Sequence, residues 1–210
     1  MKNVKVSMGF AAIFAACLLA LSVNSTFAYP EPSIVPKSWD LDFKINKADT
    51  IRLKIPGQEK TKLFYYITYT VTNKTNKDQM YIPVAQLYTN RGHLIQAGRR
   101  VHPVVYKTIK KHLDNPLLID PVKIVGKILQ GPDHAKDGVF IWPVPEDKDI
   151  DVLRVFVQGL SGEFHKAKDP VSGKDHTLWK TLMLEYRTPG DQKSTPVKKF
   201  LKKVHKWIVR

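Results

Sequence analysis

Asp133, His134 and Asp137 crowd one polar turn, Asp133-His134-Ala135-Lys136-Asp137-Gly138, and could together bind a metal ion or move a proton. The seven histidines (93, 102, 112, 134, 165, 176 and 205) are otherwise scattered, and no H-E-x-x-H or other close helical pair occurs. Gly159-Leu160-Ser161-Gly162-Glu163 begins like a nucleophile elbow, but Glu163 stands where the last glycine belongs and no strand-to-helix turn is expected there. Asp147-Lys148-Asp149-Ile150-Asp151 opens like a calcium loop, yet Val152 replaces the required glycine and Gln158 the closing carboxylate. Glycine-rich phosphate loops and dinucleotide fingerprints are absent. The expectation is therefore no catalytic residue, no metal, no cofactor and no small-molecule substrate. An enzyme using Asp133, His134 and Asp137 is the alternative.

Binding through charge has a stronger signal. The C-terminal stretch 192–210 carries Lys193, Lys198, Lys199, Lys202, Lys203, Lys206 and Arg210 and no acid. Wound as a helix, it places Val197, Phe200, Leu201, Val204 and Ile208 on one stripe, with Lys198, Lys199, Lys202, Lys203 and Lys206 largely away from it. Such a segment suits an anionic surface, because cations attract at long range and the apolar face can dock. Packing of the stripe on the protein's own sheet is the plainer reading, and Trp207-Ile208-Val209 could equally end as a strand. The expected anionic-partner residues are Lys198, Lys199, Lys202, Lys203, Lys206 and Arg210.

The elements that must position these groups read mostly as strands. Trp39, Leu41, Phe43 and Ile45 alternate with polar residues, as do Ile51, Leu53 and Ile55. The strongest strand is 63–72, with Leu63, Tyr65, Ile67, Tyr69 and Val71 on one face and a threonine-rich, half-exposed second face. Further strands are expected at 80–89, interrupted by Pro83, and at 93–97, 139–142, 152–158 and 178–187. In the last, Leu178, Leu182, Leu184 and Tyr186 face one way and Lys180 is the exception. Residues 159–175 read as loop or a weak hairpin. Two helices interrupt the strands. Val105, Ile109 and Leu113 fall at four-residue steps, and Asp120-Pro121 and Gly131-Pro132 bound a second apolar stretch. The fold expected is a mainly β, immunoglobulin-like antiparallel sandwich over 39–190, with a two-helix insertion near 101–131 and a basic amphipathic extension over 191–210. A small open barrel is the alternative.

Composition agrees with a folded domain: 43% of the 210 residues are hydrophobic and 25% charged. The formal charge of +15 points to an anionic partner, and the single cysteine excludes a disulfide framework. Residues 1–28 read as an export signal: Lys2 and Lys5, an apolar run from Met8 to Val23, then Thr26-Phe27-Ala28 before a cut. Cleavage after Ala28 would remove the cysteine and no acid, leaving a proline-rich lead-in over 29–38. A retained N-terminal anchor and a lipoprotein cut at Cys17 are the alternatives. Nucleic acid would suit the charge but not an exported chain.

Several motifs then run in one order: Trp39-Asp40-Leu41-Asp42-Phe43, the strand-turn Thr68 to Thr75, Lys136-Asp137-Gly138-Val139 leading to Ile141-Trp142-Pro143, Gly159 to Glu163, and Lys180-Thr181-Leu182-Met183-Leu184. In series, over most of 36–190, they resemble a group of uncharacterised exported proteins of planctomycete-type bacteria. The resemblance implies an extracytoplasmic location, periplasmic or beyond, and no activity. The expected function is an exported, non-enzymatic binding or structural protein. Its basic surface would engage membrane headgroups, an acidic envelope polymer or an acidic protein, or it would serve as an accessory subunit of an extracytoplasmic assembly.

Overall fold

The computed structural model describes residues 30–35, 37–145, 150–187 and 201–210, of which 201–203 are described by backbone alone. The export-signal reading of 1–28, the Asp147–Asp149 run and Lys198 and Lys199 lie outside these residues. Among the described residues the chain is mainly β with one short α-helix, and its sheets are open.

One sheet holds three strands in the order β1 (Asp42–Lys54), β2 (Thr61–Thr72) and β7 (Lys136–Pro143), all antiparallel. The two strands expected over 39–55 are one. A register shift between Ile45 and Lys47 absorbs the polar residues between the apolar runs, and Lys47 N–H donates to Thr68 Oγ1 at 3.1 Å. A second sheet runs β11 (Leu201–Val209), β10 (Asp175–Arg187), β8 (Val152–Gln158), β4 (Val84–Thr89) and β5 (Leu94–Gln96), with β9 (Phe164–Lys168) also on β10. A two-stranded ribbon pairs β3 (Gln79–Tyr81) with β6 (Gly126–Ile128). Pro83, which lacks a donor, separates β3 from β4.

Both larger sheets feed one hydrophobic cluster. Tyr65, Ile67, Tyr69 and Val71 of β2 and Trp142 of β7 meet Leu87, Val155, Val157, Leu182 and Leu184 of the second sheet. The other face of β2 is buried at Phe64, Tyr66 and Thr68, and the half-exposure expected of it is confined to Thr70 and Thr72. Phe64 and Tyr66, with Val139 and Ile141, pack against Val105 and Ile109 of the helix α1 (Pro103–Leu113), and Thr68 is itself buried. This helix has the four-residue apolar spacing read in the sequence. His102 Nδ1 accepts from Val104 N–H, Pro103 occupies the first turn, and Lys110, Lys111 and His112 face the negative end of the helix dipole.

No second helix forms over 121–129. Asp120 does cap a turn, accepting from Val122 N–H at 2.9 Å, and Ile124 N–H reaches the Asp120 carbonyl at 3.0 Å. One turn is all that follows. Gly126 takes a positive φ of 134°, and the next residues satisfy their backbone by pairing with β3. The stretch 159–175 holds β9, which forms a hairpin with β10 across the turn at 169–174, the second of the two forms expected there; Leu201–Val209 is a strand paired antiparallel with β10 rather than a helix.

Candidate functional site

At one end of the second sheet, three parts of the sequence converge on Lys180. Leu182 pairs with Val157 of β8 and Trp179 with Phe164 of β9, and Lys180 N–H still donates to the Glu163 carbonyl at 3.0 Å, so Gly159 to Gly162 leave the ladder as a bulge opposite Lys180 and Thr181. The bulge depends on its glycines. Gly159 has φ 85°, and a Cβ there would collide with the Ile82 carbonyl oxygen. A Cβ on Gly162 would meet Ser38 Oγ and Trp39 Nε1. The displaced chain pairs instead with the residues before β1: Leu41 N–H donates to the Leu160 carbonyl at 2.8 Å and Gly162 N–H to the Trp39 carbonyl at 3.0 Å. Ser161 Oγ accepts from Glu163 N–H at 3.0 Å. The elbow-like Gly159–Glu163 motif is thus a backbone device, and its serine turns the chain.

This arrangement places two acids on one buried amine. Lys180 Nζ donates to Asp40 Oδ2 at 2.7 Å and lies 3.2 Å from Glu163 Oε2, with the Trp207 ring centroid 5.1 Å away. The side chains of Lys180 and Glu163 are only 4% and 2% exposed, that of Asp40 25%. Glu163 Oε1 accepts from Ser33 N–H at 2.8 Å and lies 3.3 Å from His165 Nε2. Burial opposes the charge on Glu163, but its contacts with Ser33, His165 and Lys180 outweigh it and hold the carboxyl down at about 2. Burial likewise opposes the Lys180 ammonium, and the hydrogen bond to Asp40 overcomes it, so its pKa is raised. Two acceptor oxygens, Asp40 Oδ1 and Glu163 Oε2, are buried without a hydrogen bond; the second has only its ionic contact with Lys180.

A second region departs from ordinary surface chemistry. On the β3–β6 ribbon, Tyr81 and Ile128 point into the core while the alternate residues point out. The outward set is Met80, Ile82, Val125, Lys127 and Leu129, whose four apolar members are 58%, 54%, 46% and 42% exposed. Val122, in the turn leading into β6, is 81% exposed, and Lys123 beside it is also exposed. Lys136 fixes this turn, its Nζ donating to the carbonyls of Ile124 and Lys127.

The turn that suggested acid–base chemistry does not assemble a centre. Asp133 and His134 sit on an exposed 3₁₀ turn, Pro132–His134. Asp137 lies on β7, accepting from Thr70 Oγ1 at 2.6 Å and from Asn115 Nδ2 at 3.2 Å. Among the described residues no group of three or more His, Cys, Asp or Glu is placed to hold a metal ion. A cavity of about 70 Å³ bordered by Tyr69, Pro83, Ala85, Ile124 and Phe140 is far below the roughly 300 Å³ at which ligand pockets begin.

Of the expected anion-binding residues, Lys202, Lys203 and Lys206 fall on β11, and Lys206 is exposed. Arg210 is half-buried, with its guanidinium 4.2 Å from the Phe156 ring centroid and its backbone exchanging two hydrogen bonds with Trp179. Asp40, Glu163 and Lys180 were not anticipated as a site. The available signal was Lys180 itself, a lysine in an inward register among Leu182, Leu184 and Tyr186. No described helix is long and apolar enough to cross a membrane. No protein-family model, curated protein or solved structure matches the chain.

Proposed function

We propose that this is an exported, non-enzymatic binding protein whose immunoglobulin-like β-sandwich presents the β3–β6 ribbon to an anionic membrane surface. The observation that carries the reading is the ribbon's outward face, on which Met80, Ile82, Val125 and Leu129 are all substantially exposed beside Lys127. Isolated exposed apolar residues are ordinary; a row of them on one strand pair is not. Lipid headgroups suit this combination, because the apolar side chains can enter the acyl boundary while Lys123 and Lys127 meet phosphate. The formal charge, +15 for the full chain and +13 once Lys2 and Lys5 leave with the export signal, adds long-range attraction that salt should weaken. The export reading of residues 1–28 and the resemblance to exported proteins support a location where such a surface exists. The β11 lysines are a second source of positive charge, on a strand where Val204, Trp207 and Ile208 are half-buried and Val209 is buried.

Vesicle sedimentation tests this. The protein should bind vesicles containing phosphatidylglycerol at low salt, bind phosphatidylcholine vesicles weakly, and lose most of the anionic binding at high salt. Replacing Val122 and Leu129 together by aspartate should weaken binding at least tenfold. If Lys202, Lys203 and Lys206 replaced by glutamine abolish binding while the ribbon variant keeps it, the site belongs to β11. Failure to bind anionic vesicles at low salt removes the proposal.

A further inference from the structure

The Lys180 cluster brings an amine and a carboxyl group together with a second acid, at a point where water has little access. We propose that Lys180 and Asp40 condense into an intramolecular amide cross-link, with Glu163 relaying the proton. The two reacting groups are already in contact, Nζ to Oδ2 at 2.7 Å, and they are held there by different parts of the chain, so no diffusion step remains. Glu163 Oε2, 3.2 Å from the same nitrogen, is placed to take a proton from it. Asp40 is the most open of the three, and its side gives the departing water a way out.

Exclusion of water from the cluster favours condensation over hydrolysis. The resting cluster holds one ammonium and two carboxylates, and burial penalises each charge. Moving one proton from Lys180 to Asp40 by way of Glu163 leaves a neutral amine, a neutral acid and a single carboxylate. The ion-paired form dominates at rest, and the reaction draws on the minor neutral form. In that form the Nζ lone pair attacks Asp40 Cγ, an N–C bond forms and a C–O bond breaks. The departing oxygen leaves as water with two of the three ammonium protons. The third remains as the amide N–H, and Glu163 ends as the carboxylate it began as. Nothing is oxidised or reduced. The product replaces an ion pair, one of whose oxygens is buried without a hydrogen bond, by a neutral planar amide.

Intact-mass measurement on the purified full chain, with its N-terminus established by sequencing, decides the matter. The expected mass is one water below the sum of the residues. Protease digestion should yield a branched peptide joining the Asp40 and Lys180 segments, resistant to cleavage after Lys180. Lys180→Arg and Asp40→Ala should restore the full mass, and Asp40→Asn should lose ammonia in place of water. Glu163→Gln should leave the chain largely uncross-linked; full cross-linking in that variant overturns the relay. The wild-type mass stands even if a variant fails to fold. A wild-type chain at full residue mass after prolonged incubation overturns the proposal. So does loss of water without the branched peptide, which would indicate cyclisation of Asp40 onto its own backbone.

Discussion

At the Lys180 end of the second sheet an ammonium and two carboxylates are largely shut away from solvent, whereas on the β3–β6 ribbon four large apolar side chains stand in water. Each region inverts the usual sorting of residues, but only the ribbon does so with regular backbone. The ribbon alternates in and out like any strand pair; only its outward residues are unusual. The buried cluster needs something irregular, the bulge over Gly159–Gly162, because no flat sheet would bring Glu163 and Asp40 onto the same lysine. The difference separates two kinds of oddity. The ribbon's outward residues can change one by one without disturbing the fold. The cluster binds the N-terminal lead, the bulge and β11 into one unit, and removing a member should be felt throughout.

The largest test of that contrast is Lys180→Ala, compared with wild-type chain that has not cross-linked, which leaves Asp40 and Glu163 without their shared cation. Loss of one partner from a buried pair costs about 3–5 kcal/mol, to be measured by urea unfolding. A cost below about 1 kcal/mol would mean that water reaches the cluster freely. Acid comes next. Glu163 is held at about 2, below its ordinary 4.5, so its contribution is present above pH 4.5 and is lost as pH falls toward 2. The fall should amount to roughly 3 kcal/mol over that window, read from unfolding midpoints, and should largely vanish in Glu163→Gln. Glu185, whose pKa is lowered mainly by Arg154, adds a loss of the same sign.

Gly159→Ala sharpens the argument about the bulge. The new methyl group meets the Ile82 carbonyl at a positive φ and should cost about 1–3 kcal/mol, visible as a lower thermal midpoint. The ribbon supplies the smallest effect. Lys123→Gln should leave stability unchanged and weaken binding to anionic vesicles by about 1 kcal/mol, roughly fivefold. If it destabilised the fold as Lys180→Ala should, the contrast between the regions would collapse.

Much of the β architecture was legible because it rests on local alternation. Val152–Gln158 is a strand with the bounds its pattern gives, and Val105 and Ile109 mark the buried side of α1. What could not be read was pairing. The Asp120 cap is real, yet the helix it announces stops after one turn because Gly126–Ile128 finds a partner strand in Gln79–Tyr81. The threonine-rich face of β2 suggested water, but whether a helix lies across it is a tertiary fact. The site had the same limit: Asp40, Glu163 and Lys180 all lie in motifs visible in the sequence, and only the bulge and the long-range contact make them neighbours. A lysine in an inward register was the one local warning.

Lys180 also sets a schedule for the chain. Its neighbours come from residue 40, from residue 163 and from Trp207 and Val209 on the final strand, with 140 positions separating it from Asp40. Contacts so far apart are slow to close, because the loop entropy must be spent before they reward it. A growing polypeptide therefore cannot complete this corner until β11 has emerged. Until then the apolar residues that β11 helps to cover remain open to misassembly, so refolding should be slow and sensitive to protein concentration.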